Sequence, residues 1–387
     1  MRQHGLSAST KIRFSQLCIT TLILGLLSGC SIFIPKEAGI GDKVSWSDLP
    51  GWQVDDLSAA WPALLSQCVK LGKKEPRWEV ICNEANQVSR PGDSKVRAFL
   101  KAHFQPHEII GTDGSPDGLI TGYYEPKLHG SLKADERFSF PLYGRPESLL
   151  IVDLDEQFPE LKGKRVRGRL VGNRVVPYFD RTAIDGNEQP LQGTEILWVD
   201  DPHDSFFLQI QGSGRVELPD GSTVQVGYAD QNGHQYVSIG KRLIEWGELS
   251  REEVSLFSIR QWLREHPERA MELLNENPSY VFFILKEDNG EGPRGSLNVP
   301  LTAERSAAVD RSRIPLGTPI WLSTTLPRDD PAVDPEPYQR LLFAQDTGGA
   351  INGPVRADVF FGNGERAELL AGTMKQPGRL FALLPKE

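Results

Sequence analysis

Phe343-Ala344-Gln345-Asp346-Thr347-Gly348-Gly349-Ala350-Ile351-Asn352-Gly353, with Arg356-Ala357-Asp358-Val359-Phe360-Phe361-Gly362 two residues further on, decide how this chain reads. In each stretch an apolar, strand-forming run meets glycines, and an aspartate stands at the junction. A third stretch, Ala308-Val309-Asp310-Arg311-Ser312-Arg313-Ile314-Pro315-Leu316-Gly317-Thr318, repeats the arrangement upstream. Carboxylates beside buried strands are costly unless paired or hydrogen-bonded. Brought close together, they raise one another's pKa, which keeps an acid protonated near neutral pH. Spacing alone also admits a plainer reading, in which Asp310 and Asp346 cap turns.

Working outward, residues 118–227 alternate short β-branched and aromatic runs with turn signals such as Asp185-Gly186-Asn187 and Pro219-Asp220-Gly221. Before them, Leu57, Trp61, Leu64, Leu65, Cys68 and Leu71 recur at helical spacing. A second helix is expected around Trp78, Ile81, Cys82 and Ala85. A third starts from Asp93 as N-cap, turns Val96, Phe99 and Leu100 inward, and stops before Pro106. Helices return over residues 238–246, after the capping-box sequence Ser250-Arg251-Glu252-Glu253, and at Pro267. From residue 279 the chain is β-like to its end. No internal repeat is visible. This order implies an α+β chain, mainly β with a helical N-terminal region, in which one β domain is inserted into another.

The first thirty residues are not fold. Arg2, Lys11 and Arg13 precede an apolar run at 17–27 and then Leu27-Ser28-Gly29-Cys30. So short a run is a signal-peptide core rather than a membrane span. Small residues just before a cysteine read as a lipobox, with Cys30 as the lipidated residue; an ordinary secretory signal is the alternative. Several acyl chains anchor stably where one binds weakly, and Ser31 fits retention in an outer membrane, facing the periplasm of a Gram-negative cell. Cleavage removes three cations and no acid, leaving an already acidic chain more acidic. In the oxidising periplasm Cys68 and Cys82, on facing helical stripes, are a candidate disulfide; two core thiols are the alternative.

Composition excludes several classes. The chain has 387 residues and a formal net charge of −9, from Lys+Arg 43 against Asp+Glu 52. Without a long basic run, nucleic acid is not the expected partner. With 39% hydrophobic residues the chain is too apolar for disorder. Asp346-Thr347-Gly348 is the tripeptide of aspartic proteases, but no second Asp-Thr/Ser-Gly accompanies it within the chain. His103 and His107 have metal-ligand spacing, yet Pro106 interrupts the helix, so helix-end residues and no metal are expected. No Gly-x-Ser-x-Gly and no Walker-type loop occur.

The three aspartate segments resemble the 3D domain, named for three aspartates, of the membrane-bound lytic murein transglycosylase A family. Asp117-Gly118-Leu119-Ile120-Thr121-Gly122-Tyr123-Tyr124-Glu125-Pro126 is similar to that family's TGYY-x-P segment. Phe207-Leu208-Gln209-Ile210-Gln211-Gly212-Ser213-Gly214, Asn232-Gly233-His234-Gln235-Tyr236-Val237-Ser238-Ile239-Gly240 and Asn277-Pro278-Ser279-Tyr280-Val281-Phe282-Phe283 resemble three more of its motifs. Together these cover residues 119–387, and the helical first hundred carry little of the likeness.

The resemblance implies a double-psi β-barrel with a smaller inserted β domain and a substrate groove between them. The expected division is a signal peptide at 1–29, a lipidated tether at 30–45, and helices with the first part of the main domain at 46–126. An inserted β-rich domain with trailing helices then occupies 127–278, and the 3D domain 279–387. The implied activity is that of a lytic exotransglycosylase, a carbon–oxygen lyase. It cleaves the β-1,4 bond between N-acetylmuramic acid and N-acetylglucosamine without water and leaves 1,6-anhydromuramic ends. By motif position Asp358 is the catalytic acid, with no cofactor. Peptidoglycan strands are the implied partner, and a cell-wall remodelling complex a further one. Asp346 is read as its neighbour, raising its pKa or holding a sugar hydroxyl, and Asp310 as structural.

Residue reading adds to this. Thr121 and Tyr123 share a face if 120–125 is extended, so Thr121 is a candidate partner for the acid or a sugar. Tyr123 and Tyr124 then point opposite ways, one to stack on a ring and one to the core. Alternation at 208–211 places Gln209 and Gln211 on one face of a strand running into Gly212 and Ser213, whose open N–H groups suit sugar hydroxyls and N-acetyl groups. A hairpin turn with solvated glutamines is the alternative. A non-catalytic peptidoglycan-binding lipoprotein and a hydrolytic muramidase are the competing functions.

Overall fold

The structure, a computed structural model, describes residues 38–161, 164, 166–328 and 333–386. The leader at 1–29, Cys30 and the tether as far as residue 37 lie outside them. After β1 (Gly39–Lys43), a short 3-10 turn, Leu57–Ala60, runs into the helices Trp61–Leu71, Pro76–Asn86 and Asp93–His103. Helical periodicity puts Trp61, Leu64, Cys68 and Leu71 on one buried face and Trp78, Ile81, Cys82 and Ala85 on another. A disulfide joins Cys68 to Cys82. Asp93 is the first residue of its helix rather than the cap: Gly92 takes the N-cap, and Asp93 accepts the Ser58 N–H at 2.8 Å.

The next strands are β2 (Phe104–Ile110) and β3 (Asp117–Glu125). Past Pro126 come β4 (Lys127–Ser131), β5 (Phe140–Tyr143), β6 (Leu150–Ile151), β7 (Arg167–Val171), β8 (Arg174–Val176) and β9 (Glu195–Val199). Then follow β10 (Ser213–Glu217), β11 (Thr223–Gln231) and, after the helices Ile239–Glu245, Leu256–Glu265 and Pro267–Asn275, β12 (Val281–Glu287). The chain closes with β13 (Ser306–Val309), β14 (Pro319–Thr325), β15 (Pro337–Asp346), β16 (Arg356–Asn363), the helix Glu365–Thr373 and β17 (Lys375–Pro385).

Eight strands form one sheet in the order β1-β2-β17-β14-β15-β13-β16-β3. Because β17 also pairs with β3, the strands from β17 through β16 to β3 make a closed circuit of hydrogen bonds. One face of it is lined by Ile120, Val309, Ile320, Leu342, Val359 and Leu380. Trp321, Phe343 and Phe381 pack instead with the N-terminal helices. A six-stranded sheet, β12-β11-β10-β4-β9-β5, and the small β6-β7-β8 sheet complete a mixed α+β, mainly β, fold. The chain leaves the large sheet at Glu125, enters the second at Lys127 and returns at Ser306. Arg215 clasps exit and return together, its Nε donating to Glu125 at 2.8 Å and its Nη1 to Asp288 at 2.6 Å.

Three sequence expectations are corrected. Residues 181–185 and 202–211, read as β, are helices, started by Asp180 accepting the Ala183 N–H and Asp201 the His203 N–H, with Pro202 at the first position. A four-residue alternation does not outweigh a cap and a proline backed by buried Phe206, Phe207 and Leu208. The Ser250–Glu253 capping bonds do form, but they close a turn; the helix begins at Leu256 with Ser255 as its cap. The C-terminal region also includes the helix Glu365–Thr373.

Candidate active site

Strand register builds the site. Thr121 on β3 pairs with Asp358 on β16, Asp358 with Ala308 on β13, and Ala308 with Asp346 on β15. Residues in such a row point to one face of the sheet. Asp346 joins it only because the β13–β15 register slips by one residue: Ala307 opposes Ala344, yet Ala308 opposes Asp346. In an unbroken ladder Asp346 would stand beside Val309 and face the core; the bulge turns it to the side of Asp358. The extra residue, Gln345, is wholly buried, with its Oε1 accepting from Ser306 at 2.6 Å and its amide donating to the Ala63 carbonyl at 3.0 Å. Two strand spacings separate the two aspartates, about 10 Å between Cα atoms, with only alanine between them.

The two carboxylates are held differently. Asp358 Oδ1 accepts the Thr121 hydroxyl. Asp346 Oδ1 accepts the Ser296 N–H at 2.9 Å, its hydroxyl at 3.0 Å and the Thr347 N–H at 2.8 Å, while Oδ2 accepts the Tyr123 hydroxyl at 3.0 Å. Around the row, Tyr123, Leu301, Ala308, Ile351 and Phe360 form a separate apolar cluster. Burial against it pushes the Asp358 carboxyl above the usual carboxylate range, helped by the negative charge of Asp346 and opposed by Arg356 and the Thr121 hydroxyl. Burial likewise raises Asp346, against the donors on its oxygens. Tyr123 stays protonated well beyond its normal range, through burial and then the nearby aspartates, so it remains a donor. The arrangement pairs a protonatable acid that has one partner with a carboxylate that four donors hold in place.

Other sequence candidates are placed elsewhere. Asp310 tethers a turn: Oδ1 accepts the Ser312 N–H and hydroxyl at 3.0 and 2.6 Å, and Oδ2 the Gly353 N–H at 2.8 Å. Burial raises its pKa, but these donors outweigh that and leave it lowered. Gln209 and Gln211 stand on a helix, not on one face of a strand. Gln209 is buried and accepts Arg181 Nη2 at 2.7 Å, whereas Gln211 accepts the Tyr124 N–H at 3.0 Å, behind the Tyr123 position. Gly212 is the left-handed C-cap at φ +80°, its N–H donated to the Leu208 carbonyl, and Ser213 stands on β10 opposite Gly227 of β11. The Gly212 N–H is therefore not open to a ligand, as the strand reading had expected. Tyr124 is core, its hydroxyl donating to Glu368 at 2.9 Å. His103 ends its helix and His107 lies on β2 against the Gly41 carbonyl.

Sequence reading missed Ser296 and Arg356. Ser296 follows a run of Gly, Pro, Asn and charged residues at 288–295, and nothing in that run announces Asp346 as its partner. Arg356 directly precedes the Asp358 strand and bonds the carbonyls of Leu119 and Ala357 at 3.3 and 2.8 Å, so its guanidinium lies within the electrostatic reach of Asp358.

Comparison with known proteins follows the same outline. A family model described as the MltA specific insert domain matches residues 119–284, and one described as the 3D domain matches residues 305–384. Membrane-bound lytic murein transglycosylase A of Vibrio cholerae is 35% identical over 281 residues, covering 72% of this chain and 68% of that one. The Escherichia coli K12 protein of the same name is 33% identical over 278 residues, covering 71% and 68%. The crystal structure of a membrane-bound lytic murein transglycosylase from Agrobacterium tumefaciens is similar with a TM-score of 0.78 at 33% identity, over 89% of this chain and 97% of that one. Escherichia coli MltA with bound chitohexaose is similar with a TM-score of 0.68 at 25% identity, over 91% and 96%.

Proposed function

The chain belongs to the membrane-bound lytic murein transglycosylase A family, and we propose that Asp358 is the single acid and base with which it opens the glycan. It is a lytic transglycosylase acting on peptidoglycan. The observation that carries the assignment is the contrast between the site's two half-buried carboxylates. Asp358 is raised by burial and has one side-chain donor, Thr121, on Oδ1, which leaves Oδ2 for substrate.

Protonated Asp358 gives its proton to the departing glycosidic oxygen as the bond from muramic C1 breaks. The muramic C6 hydroxyl then attacks C1, and the Asp358 carboxylate takes the hydroxyl proton. The acid is left ionised by one step and protonated by the next, and water enters neither. An attacking group inside the same sugar supplies the effective concentration that a positioned water would otherwise need. Thr121 favours the ionised intermediate state, because its hydroxyl donates to the carboxylate.

A glycosidase that uses water needs a second free carboxylate across the bond. Asp346 has both oxygens occupied by protein donors, which disfavours it as base or nucleophile. Its charge instead raises Asp358 and faces the positive charge developing at C1. The closed strand circuit fits the double-psi β-barrel, residues 127–278 the inserted domain, and the groove between them the glycan. Among the described residues no helix is long and apolar enough to cross a membrane. Lipid at Cys30, in the outer membrane and facing the periplasm, is the anchor we propose.

Asp358→Ala is expected to lower release of soluble muropeptides from murein sacculi by at least about 10³-fold while chitohexaose still binds. Near-normal release would remove Asp358 from the chemistry, and a protein that binds sacculi but releases nothing even unaltered would be a binder.

A further inference from the structure

The row that holds the acid continues past Thr121. Thr121 on β3 also opposes Lys375 on β17, so Asp346, Ala308, Asp358, Thr121 and Lys375 follow one another across the sheet. Two residues along the strands, the next row on the same face is Arg356, Leu119 and Pro377. Between the rows, Ala357 and Ile120 turn the other way, into the apolar lining. Leu119 is 42% exposed, and Lys375 and Pro377 are exposed too, so this part of the face is open to solvent. Arg356 and Asp358 are alternate residues of one strand, about 7 Å apart, and so belong to one surface.

Arg356 is half-buried, and its Nη1 donates to the Leu119 and Ala357 carbonyls, which fixes the guanidinium against the sheet. Among the described residues no carboxylate bonds it, and its Nε and Nη2 have no partner. Burial lowers its pKa, against the pull of the Asp358 charge, yet a guanidinium stays charged. The free Nε–Nη2 edge is the fork that takes a carboxylate by two parallel bonds. The anions around it are engaged elsewhere. Four donors hold Asp346, Ser312 and Gly353 hold Asp310, and Arg379 holds Glu108; Asp117 stands a row further out, opposite Arg379. Lys375 donates to the Arg251 carbonyl at 3.1 Å and adds a second cation with no carboxylate partner among the described residues.

N-acetylglucosamine is neutral and gives such a guanidinium no counter-charge. The muramic ring differs by a lactyl ether at C3, which ends in a free carboxylate wherever the stem peptide is absent. That group belongs to the ring whose C1 is cut, so it lies within one sugar ring of the bond that Asp358 protonates. We propose that Arg356 reads the lactyl carboxyl of the muramic ring at the cut bond through its Nε–Nη2 edge, and so distinguishes a muramyl strand from a chitin-like one. This rests on the peptidoglycan reading above and adds to it the residue that selects the sugar. In a peptide-bearing strand the same group is an uncharged amide, so the grip is strongest on peptide-free glycan.

Binding is read in the full chain carrying Asp358→Asn, which keeps the shape of the protonated acid and stops turnover. Failure of the catalytic assignment would appear separately, as sacculi still solubilised by that chain. Peptide-free glycan strands, the same strands with their lactyl carboxyls converted to methyl esters, and chitohexaose are titrated into it by calorimetry. Adding Arg356→Met is expected to weaken the peptide-free strand about tenfold, the range of a hydrogen bond to a charged group. Chitohexaose, which also reports that the variant is folded, should change by less than about twofold. Arg356→Lys keeps the charge without the fork and should recover part of the loss. Esterification should cost the Arg356 chain the same factor, and the Met variant nothing. Equal losses for strand and chitohexaose, or an ester bound as tightly as the free strand, would overturn the proposal.

Discussion

Thr121 and Asp346 pull on the Asp358 proton from opposite sides of one row. The Thr121 hydroxyl stabilises the carboxylate, and the Asp346 charge stabilises the protonated form. Activity that starts from protonated Asp358 must fall as pH rises through its raised pKa. Thr121→Val removes the stabiliser of the ionised form, so this falling limb should move to higher pH, with kcat down about tenfold for loss of a charge-assisted hydrogen bond. Asp346→Asn removes the opposing charge, so the limb should move to lower pH. Rates of sacculi solubilisation across the acid-to-neutral range check both, and shifts in the same direction would break the assignment. That Thr121 and Tyr123 share a face was legible from strand alternation. That Asp346 neighbours Asp358 was read with the family resemblance and not from alternation, because the placement depends on a one-residue slip that no pattern in residues 343–346 marks.

Among the elements, the helical hairpin Trp61–Leu71 and Pro76–Asn86 is stapled by Cys68–Cys82 and packs behind the large sheet, Gln67 Nε2 reaching the Gly317 carbonyl at 3.0 Å. Closing a loop of that sequence separation, 14 residues, is worth about 3 kcal/mol by loop entropy. Replacing both cysteines by alanine should cost about that in urea unfolding while sacculi digestion persists at 25 °C, since neither residue touches the row. Apolar periodicity disclosed this hairpin because each helix buries one stripe. The same reasoning failed for Pro202–Gln211, where four alternating residues imitated a strand and the real signal was Asp201-Pro202 upstream. Gln209 and Gln211 consequently turned out to hold Arg181 and the Tyr124 N–H; strand alternation had made them a sugar-binding face.

For the whole molecule, contacts distant in sequence tie the N-terminal segment to the eight-stranded sheet. Asp55 is 1% exposed and accepts Arg305 at 2.8 and 3.0 Å, Arg340 at 3.2 Å and the Leu341 N–H at 2.9 Å. Asp55→Ala would strand a buried guanidinium and a strand N–H, so a loss of about 3–5 kcal/mol is expected in chemical unfolding. Sequence alone could not pair residues 250 positions apart, though it did order helices, β, helices, β along the chain. The chemistry at Asp358 is most directly tested by the ends of the products. Sacculi digested by the protein in 18O-labelled water and analysed by mass spectrometry should yield muropeptides ending in 1,6-anhydromuramic acid, each lighter by one water than a hydrolysed fragment and free of label. Reducing ends carrying 18O would mean that water, and not the sugar's own C6 hydroxyl, attacks C1.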